Sequence, residues 1–216
     1  MLREKALAIP IRNQQPLMNN KSNLLGVVLC GGESKRMGTD KGLLQLNGKT
    51  WTEHIAEKIN VQNIPVVISI NGKQLEAYSK VFKKEELIID QLPMHGPLNG
   101  LLTVHQQFPS KNILLMACDL IDMVPPVLEE LITTYEKNEA DYFAYEENNF
   151  FQPLCAIYTS GALKTLLERL NNGSLANYSF QYILNNSKTY HLHTSSLQAF
   201  TNYNALENHI PGKKSE

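Results

Sequence analysis

Residues 24–41 read LLGVVLCGGESKRMGTDK: an apolar run, Leu24–Leu29, breaks into paired glycines and then offers Arg36 and Lys41. A short, continuous apolar run ended by glycines predicts a strand buried on both faces. Gly31 and Gly32 carry no side chain to obstruct a ligand, so backbone N–H groups there can approach phosphate oxygens. Arg36 and Lys41 add a planar cationic fork and a compact ammonium. The stretch predicts a polyphosphate site at a strand end, and the competing reading is a glycine turn with solvated charges. It is not a Walker loop, since Gly38 is followed by Thr39, Asp40 and Lys41 and not by Lys-Ser/Thr. Nor does its glycine spacing match the dinucleotide fingerprint.

Working outward, apolar runs alternate with segments of helical period, which predicts an α/β fold with a mostly parallel, Rossmann-like sheet flanked by helices. Strands are expected at residues 25–30, 66–70, 87–89, 113–117, 142–145 and 154–158. Helices are expected at residues 51–60, 74–81, 98–107, 126–137 and 161–171. Pro125 and Pro126 suit a helix start, and Asn171 to Gly173 a helix stop. Open α/β sheets bind ligands beyond the carboxyl ends of their strands. The chemically interesting residues all follow such ends: the glycine loop, Asn71, Asp90 and Asp119.

The 216 residues suffice for one α/β domain, expected over 24–210, with residues 1–23 as a flexible arm and 211–216 as a disordered tail. A formal net charge of −1 argues against a broad nucleic-acid or anionic-membrane surface. No run is long enough for a membrane span, and the first residues lack the apolar core of a signal peptide, so a cytoplasmic location is expected. The three cysteines, Cys30, Cys118 and Cys155, make no CxxC pattern and sit in strand-like runs, as buried reduced thiols would.

Asp119, directly after a buried-type strand, suits Mg2+ that bridges triphosphate oxygens; a turn or helix cap is the alternative. Asp90 ends a strand before a loop of glycine and proline that leads into a helix N-terminus, and it could equally close a turn. Asn71 can donate and accept at once, which suits a base edge or a ribose hydroxyl, although an Asn-Gly pair also makes a hairpin turn by itself. Gln152 precedes Pro153, which would suit the start of an edge strand. His191 and His193 share one face of an expected strand, with no third ligand to make a zinc site.

The segment 29–41 resembles the LxGGxSxRMGxDK signature of the molybdenum cofactor guanylyltransferases, nucleotidyltransferases of the nucleotide-diphospho-sugar transferase fold. Leu29, Gly31, Gly32, Ser34, Arg36, Met37, Gly38, Asp40 and Lys41 all stand in place, and Cys30 replaces the commoner alanine. The resemblance continues through DQLPMHGPLNGL, LLMACDLIDMVPP, FQPLCAIY and FTNYNALEN. It implies transfer of GMP from GTP to molybdopterin with Mg2+, and molybdoenzymes or their chaperones as further partners. It implies base and phosphate contacts at Leu29, Cys30, Gly31 and Gly32, with Arg36 on the β/γ-phosphates and Lys41 on the α-phosphate. Asp119 would hold the metal, Asn71 and Asp90 the nucleotide, and Gln152, Asn202 and Asn204 the acceptor. The family's TPE after the paired asparagines is ALE here, which weakens the acceptor assignment. Rival readings are a nucleotidyltransferase that uses CTP or a sugar or alcohol phosphate, and a non-catalytic GTP-binding adaptor.

Overall fold

The computed structural model describes residues 23–31, 40–194 and 196–200. Gly32, Arg36, Asn202 and Asn204, with the expected arm and tail, lie outside the described residues, apart from Asn23. Seven strands form one sheet in the order β5-β4-β1-β6-β8-β7-β9. These are β1 (Leu24–Leu29), β4 (Val66–Ile70), β5 (Leu87–Ile89), β6 (Asn112–Ala117), β7 (Tyr142–Glu147), β8 (Phe150–Tyr158) and β9 (Thr189–Leu192). A small antiparallel ribbon of β2 (Gln45–Leu46) and β3 (Lys49–Thr50) stands apart. Only β8 runs against its neighbours; the other pairings in the large sheet are parallel. The mostly parallel α/β fold expected from the alternation of elements is therefore the observed one.

The continuous apolar strands are explained by helices on both faces. Leu24, Val28, Ile68, Leu114 and Met116 pack in one core with α1 (Trp51–Asn60), α2 (Leu75–Tyr78) and α4 (Pro125–Lys137). Leu25, Val27, Leu29, Ile113 and Leu115 pack in the other with α3 (Pro97–Gln107), α5 (Ser160–Asn171) and α6 (Phe180–Asn185). Alternate residues of one strand thus feed opposite cores, which leaves no polar face for the sequence to show. Helix α1 starts on a capping box: Thr50 Oγ1 accepts from Glu53 N at 3.2 Å and Glu53 Oε2 accepts from Thr50 N at 2.6 Å.

Several local expectations change. The helix expected over 74–81 is a 3-10 turn at Gly72–Gln74 followed by only four residues of α2. Asn71–Gly72 is not a hairpin turn but the cap of that 3-10 turn, whereas Asn47–Gly48, with φ of 51° and 82°, turns the β2–β3 ribbon. Strands β7 and β8 extend past their expected ends and meet in a two-residue turn at Asn148 and Asn149, both at positive φ. Pro153 does not start an edge strand. It lies inside the central β8, where the register with β7 is broken between Ala144 and Glu146, so its missing N–H forfeits no regular ladder bond.

Candidate functional site

The chain runs from β1 outward through β4 to β5, then returns to place β6 on the other side of β1. That reversal is a topological switch point, where the carboxyl ends of two neighbouring strands open a crevice. Cys30–Gly31 leave β1 on one side of it and Asp119 follows β6 on the other, with Cys118 N donating to Leu29 O at 3.2 Å.

Across the crevice stands Lys41, the first residue of a 3-10 turn at Lys41–Leu43. Its Nζ lies 3.6 Å from Asp119 Oδ2, with the side chains 25% and 18% exposed. A pair this open to water contributes little to stability, and it leaves both charges accessible at the carboxyl end of β6. Asp40 caps the turn through Gly42 N at 3.0 Å. Thr52, fully buried, donates from Oγ1 to Gly42 O at 2.8 Å. Because that hydroxyl proton is spent on Gly42, the Cys30 thiol at 3.3 Å is the donor to Thr52 Oγ1. Cys30 thus adds a tie between the end of β1 and α1.

Asp90 approaches from β5. Ser69 Oγ donates to its Oδ1 at 3.2 Å, and burial raises its pKa while that hydrogen bond opposes the rise. A Cβ on Gly31 would lie 3.3 Å from Asp90 Oδ2, so the glycine lets the β1 loop pass directly over the carboxyl group. Gly100 is more tightly required: its Cβ would fall 2.3 Å from Ser69 Oγ and 2.7 Å from Leu29 Cδ1. The loop after Asp90 is shaped by Asn99, which accepts from Leu92 N at 3.1 Å and donates to Leu92 O and Met94 O at 2.9 and 2.8 Å. Thr103 accepts from Gln91 N at 3.1 Å and donates to Asn99 Oδ1. Asn71, half-buried, uses its Oδ1 to accept from Lys73 N at 2.9 Å.

Gln152 sits elsewhere on the same edge. The register Met116↔Cys155 carries the start of β8 past the carboxyl end of β6, to the far side of Asp119 from the glycine loop. There Gln152 lines a cleft with Tyr145, Glu147, His193 and Phe200. Phe200 ends a 3-10 turn, two residues before Asn202. Glu146 at the rim receives His191 Nδ1 at 2.5 Å, and His193 Nδ1 lies 3.1 Å from Glu146 O. The two histidines thus pair with the β7 end, and among the described residues no group of three or more His, Cys, Asp or Glu gathers to hold a metal.

The structure therefore brings Leu29, Cys30, Gly31, Lys41, Asp90 and Asp119 to one crevice and sets Asn71 on the neighbouring β4 end, with Gln152 in an adjoining cleft. The sequence reading missed Gln74, Tyr78, Asn99, Thr103 and Thr52. Only Gln74 had a visible signal, the N-x-x-Q spacing from Asn71 that makes a capping box.

The family described as MobA-like NTP transferase domain matches residues 26–185. A molybdenum cofactor biosynthesis bifunctional protein of Synechocystis is 29% identical over 155 residues, 71% of this chain; the chain spans 44% of that relative's length. The crystal structure of molybdopterin-guanine dinucleotide biosynthesis protein A from Archaeoglobus fulgidus superposes with a TM-score of 0.69 at 24% identity, over 86% of this chain and 94% of that one. A 4-diphosphocytidyl-2C-methyl-D-erythritol synthase from Anaerococcus prevotii has the same fold, with a TM-score of 0.65 at 10% identity over 90% and 96% of the two chains.

Proposed function

Because the chain belongs to the MobA-like NTP transferase family, we propose that it moves GMP from GTP to the terminal phosphate of molybdopterin, giving the guanine dinucleotide cofactor and pyrophosphate. The observation that carries this reading is the crevice at the β1/β6 switch point, where bare backbone at Gly31, the Lys41 ammonium and the Asp119 carboxylate face one another.

A phosphate oxygen of the acceptor bonds to the α-phosphorus of GTP, and the bond from that phosphorus to the bridging β-oxygen breaks. Two anions must meet, so the protein's task is alignment and cancellation of charge. Lys41 neutralises the α-phosphate, Arg36 the β/γ-phosphates, and Asn71 and Asp90 hold the nucleoside. Asp119 would hold Mg2+, an ion commonly bound by one or two carboxylates with phosphate and water oxygens, and the ion would supply further neutralisation of the triphosphate. Asp119 would then exchange Lys41 for the metal as Lys41 turns to phosphate.

The cleft beside Gln152 supports the acceptor's place. Its phosphate belongs near Lys41, and the carboxylate of Glu147 and the Gln152 amide suit the donor-rich amino-pyrimidinone edge of a pterin better than an anion. Among the described residues no helix is long and apolar enough to cross a membrane; work in the cytoplasm for molybdoenzymes or their chaperones is part of the proposal.

Purified protein with GTP, Mg2+ and molybdopterin tests the proposal. Guanine dinucleotide and pyrophosphate should form in equal amounts, with CTP and ATP competing poorly. Product from CTP but not GTP, or GTP binding without pyrophosphate release, would contradict it.

A further inference from the structure

Gln74 follows a strand end but belongs to none of the nucleotide contacts above, and it is 9% exposed. Its side chain makes three hydrogen bonds to three separate segments. Oε1 accepts from Asn71 N at 2.8 Å, and Nε2 donates both to Cys30 O at 2.9 Å and to Asp40 Oδ2. The orientation of the amide is forced by its partners: Cys30 O and the Asp40 carboxylate only accept, and Asn71 N only donates. Asp40 Oδ1 meanwhile accepts from the fully buried Tyr78 hydroxyl at 2.9 Å and from Gly42 N at 3.0 Å. Burial holds that phenol firmly protonated, so it stays a donor. A Cβ on Gly42 would lie 2.2 Å from the Tyr78 hydroxyl, so the turn rests directly on this ring.

We infer that Gln74, assisted by Tyr78, is a positioning residue that acts through Asp40 to set Lys41 against the crevice. Strands β1 and β4 hold one another by their own ladder, with Leu29 opposite Ser69. The turn carrying Lys41 instead closes on itself, Leu43 N to Asp40 O and Leu44 N to Lys41 O. Beside the Lys41–Asp119 pair and the bond from Trp51 N to Leu44 O, it is held by the side chains of Gln74, Tyr78 and Thr52, of which Gln74 also reaches the end of β1. Losing the Gln74 amide removes the one side chain that joins Cys30 O, Asn71 N and the Asp40 carboxylate, and leaves Asp40 held by Tyr78 and Gly42 N. A displacement of about 1 Å in such a group costs on the order of 10²-fold in rate.

The inference rests on the reading of Lys41 as a phosphate-binding cation, and a double-mutant cycle separates the two. The proteins compared are wild type, Lys41→Ala, Gln74→Leu and the double variant, assayed for pyrophosphate release with GTP, Mg2+ and molybdopterin, with melting temperature recorded for each. Gln74→Leu should lower kcat by about 10–100-fold in the wild-type background. In the Lys41→Ala background it should lower kcat by under about 3-fold, since its effect travels through the missing ammonium. Should Gln74→Leu not fold, Tyr78→Phe carries the same cycle, with a loss of roughly 3–10-fold that shrinks in the Lys41→Ala background. An equal factor in both backgrounds, or an undiminished kcat, overturns the inference. A silent Lys41→Ala overturns the reading of the site and this inference with it; a damaging Lys41→Ala with freely additive partners overturns this inference alone.

Discussion

The two halves of the sheet edge are built differently. On the β5-β4-β1-β6 side every strand is parallel, the polar residues come directly after strand ends, and buried side chains tie them together. On the β8-β7-β9 side one strand runs backward, the register slips, and the polar residues of the cleft lie within or just beyond the strands. The first half, tied by buried side chains, is the proposed holder of the nucleotide; the second, a hairpin rim with a broken register, is the proposed place of the acceptor. If this is right, variants on the two sides should fail in different ways.

The largest effect belongs to the holder. Lys41→Ala should cut turnover by about 10²–10³-fold, one electrostatic donor's usual share, with acceptor KM little changed; near-native turnover would remove Lys41 from the chemistry. Next is Gly100→Ala, whose methyl group would meet Ser69 Oγ at 2.3 Å and Leu29 Cδ1 at 2.7 Å. Overpacking there should cost about 1–3 kcal/mol in denaturant unfolding, together with nucleotide affinity; a variant of unchanged stability would show that the holder is softer than described. On the rim, Gln152→Ala should raise acceptor KM by about 10-fold, the worth of a hydrogen bond of about 1.4 kcal/mol, and leave nucleotide KM within about 2-fold. Equal rises in both constants would merge the halves.

The smallest effect is in pH dependence. Burial raises the Asp90 pKa in the fold, so the folded state disfavours its ionised form. Its contribution to stability is therefore fullest below the unfolded carboxyl value, about 4, and is lost as pH rises through the raised folded value. Asp90→Asn should accordingly melt more favourably relative to wild type at pH 8 than at pH 4, while it weakens nucleotide binding. A difference that shrinks toward pH 8 would mean that the carboxylate is stabilised where it lies, and that its placement costs the fold nothing.

The same contrast decides what could be read in advance. Parallel strands covered on both faces leave unbroken apolar runs, and the edge rule then marks whatever polar residue follows, so Gly31, Asn71, Asp90 and Asp119 were legible. What holds them was less so. Tyr78 and Thr52 reach the site from helices more than ten residues from Asp40, a contact no local pattern records, and Asn99 looks like any polar residue in a helix. The hairpin side hid its geometry in turn chemistry. Asn148–Asn149 turns β7 into β8 and Asn47–Gly48 turns a ribbon, yet the identical pair Asn71–Gly72 caps a 3-10 turn because Gln74 stands ready to close the box. The dipeptide sets what the backbone can do; the third neighbour decides which it does.

A structure determined with GTP and Mg2+ bound tests the central claim most directly. It should show the triphosphate against the backbone N–H of Gly31, with Mg2+ on Asp119 and Lys41 swung from that carboxylate onto phosphate oxygen. Nucleotide bound away from the β1/β6 crevice, with the Lys41–Asp119 pair still closed, would contradict it.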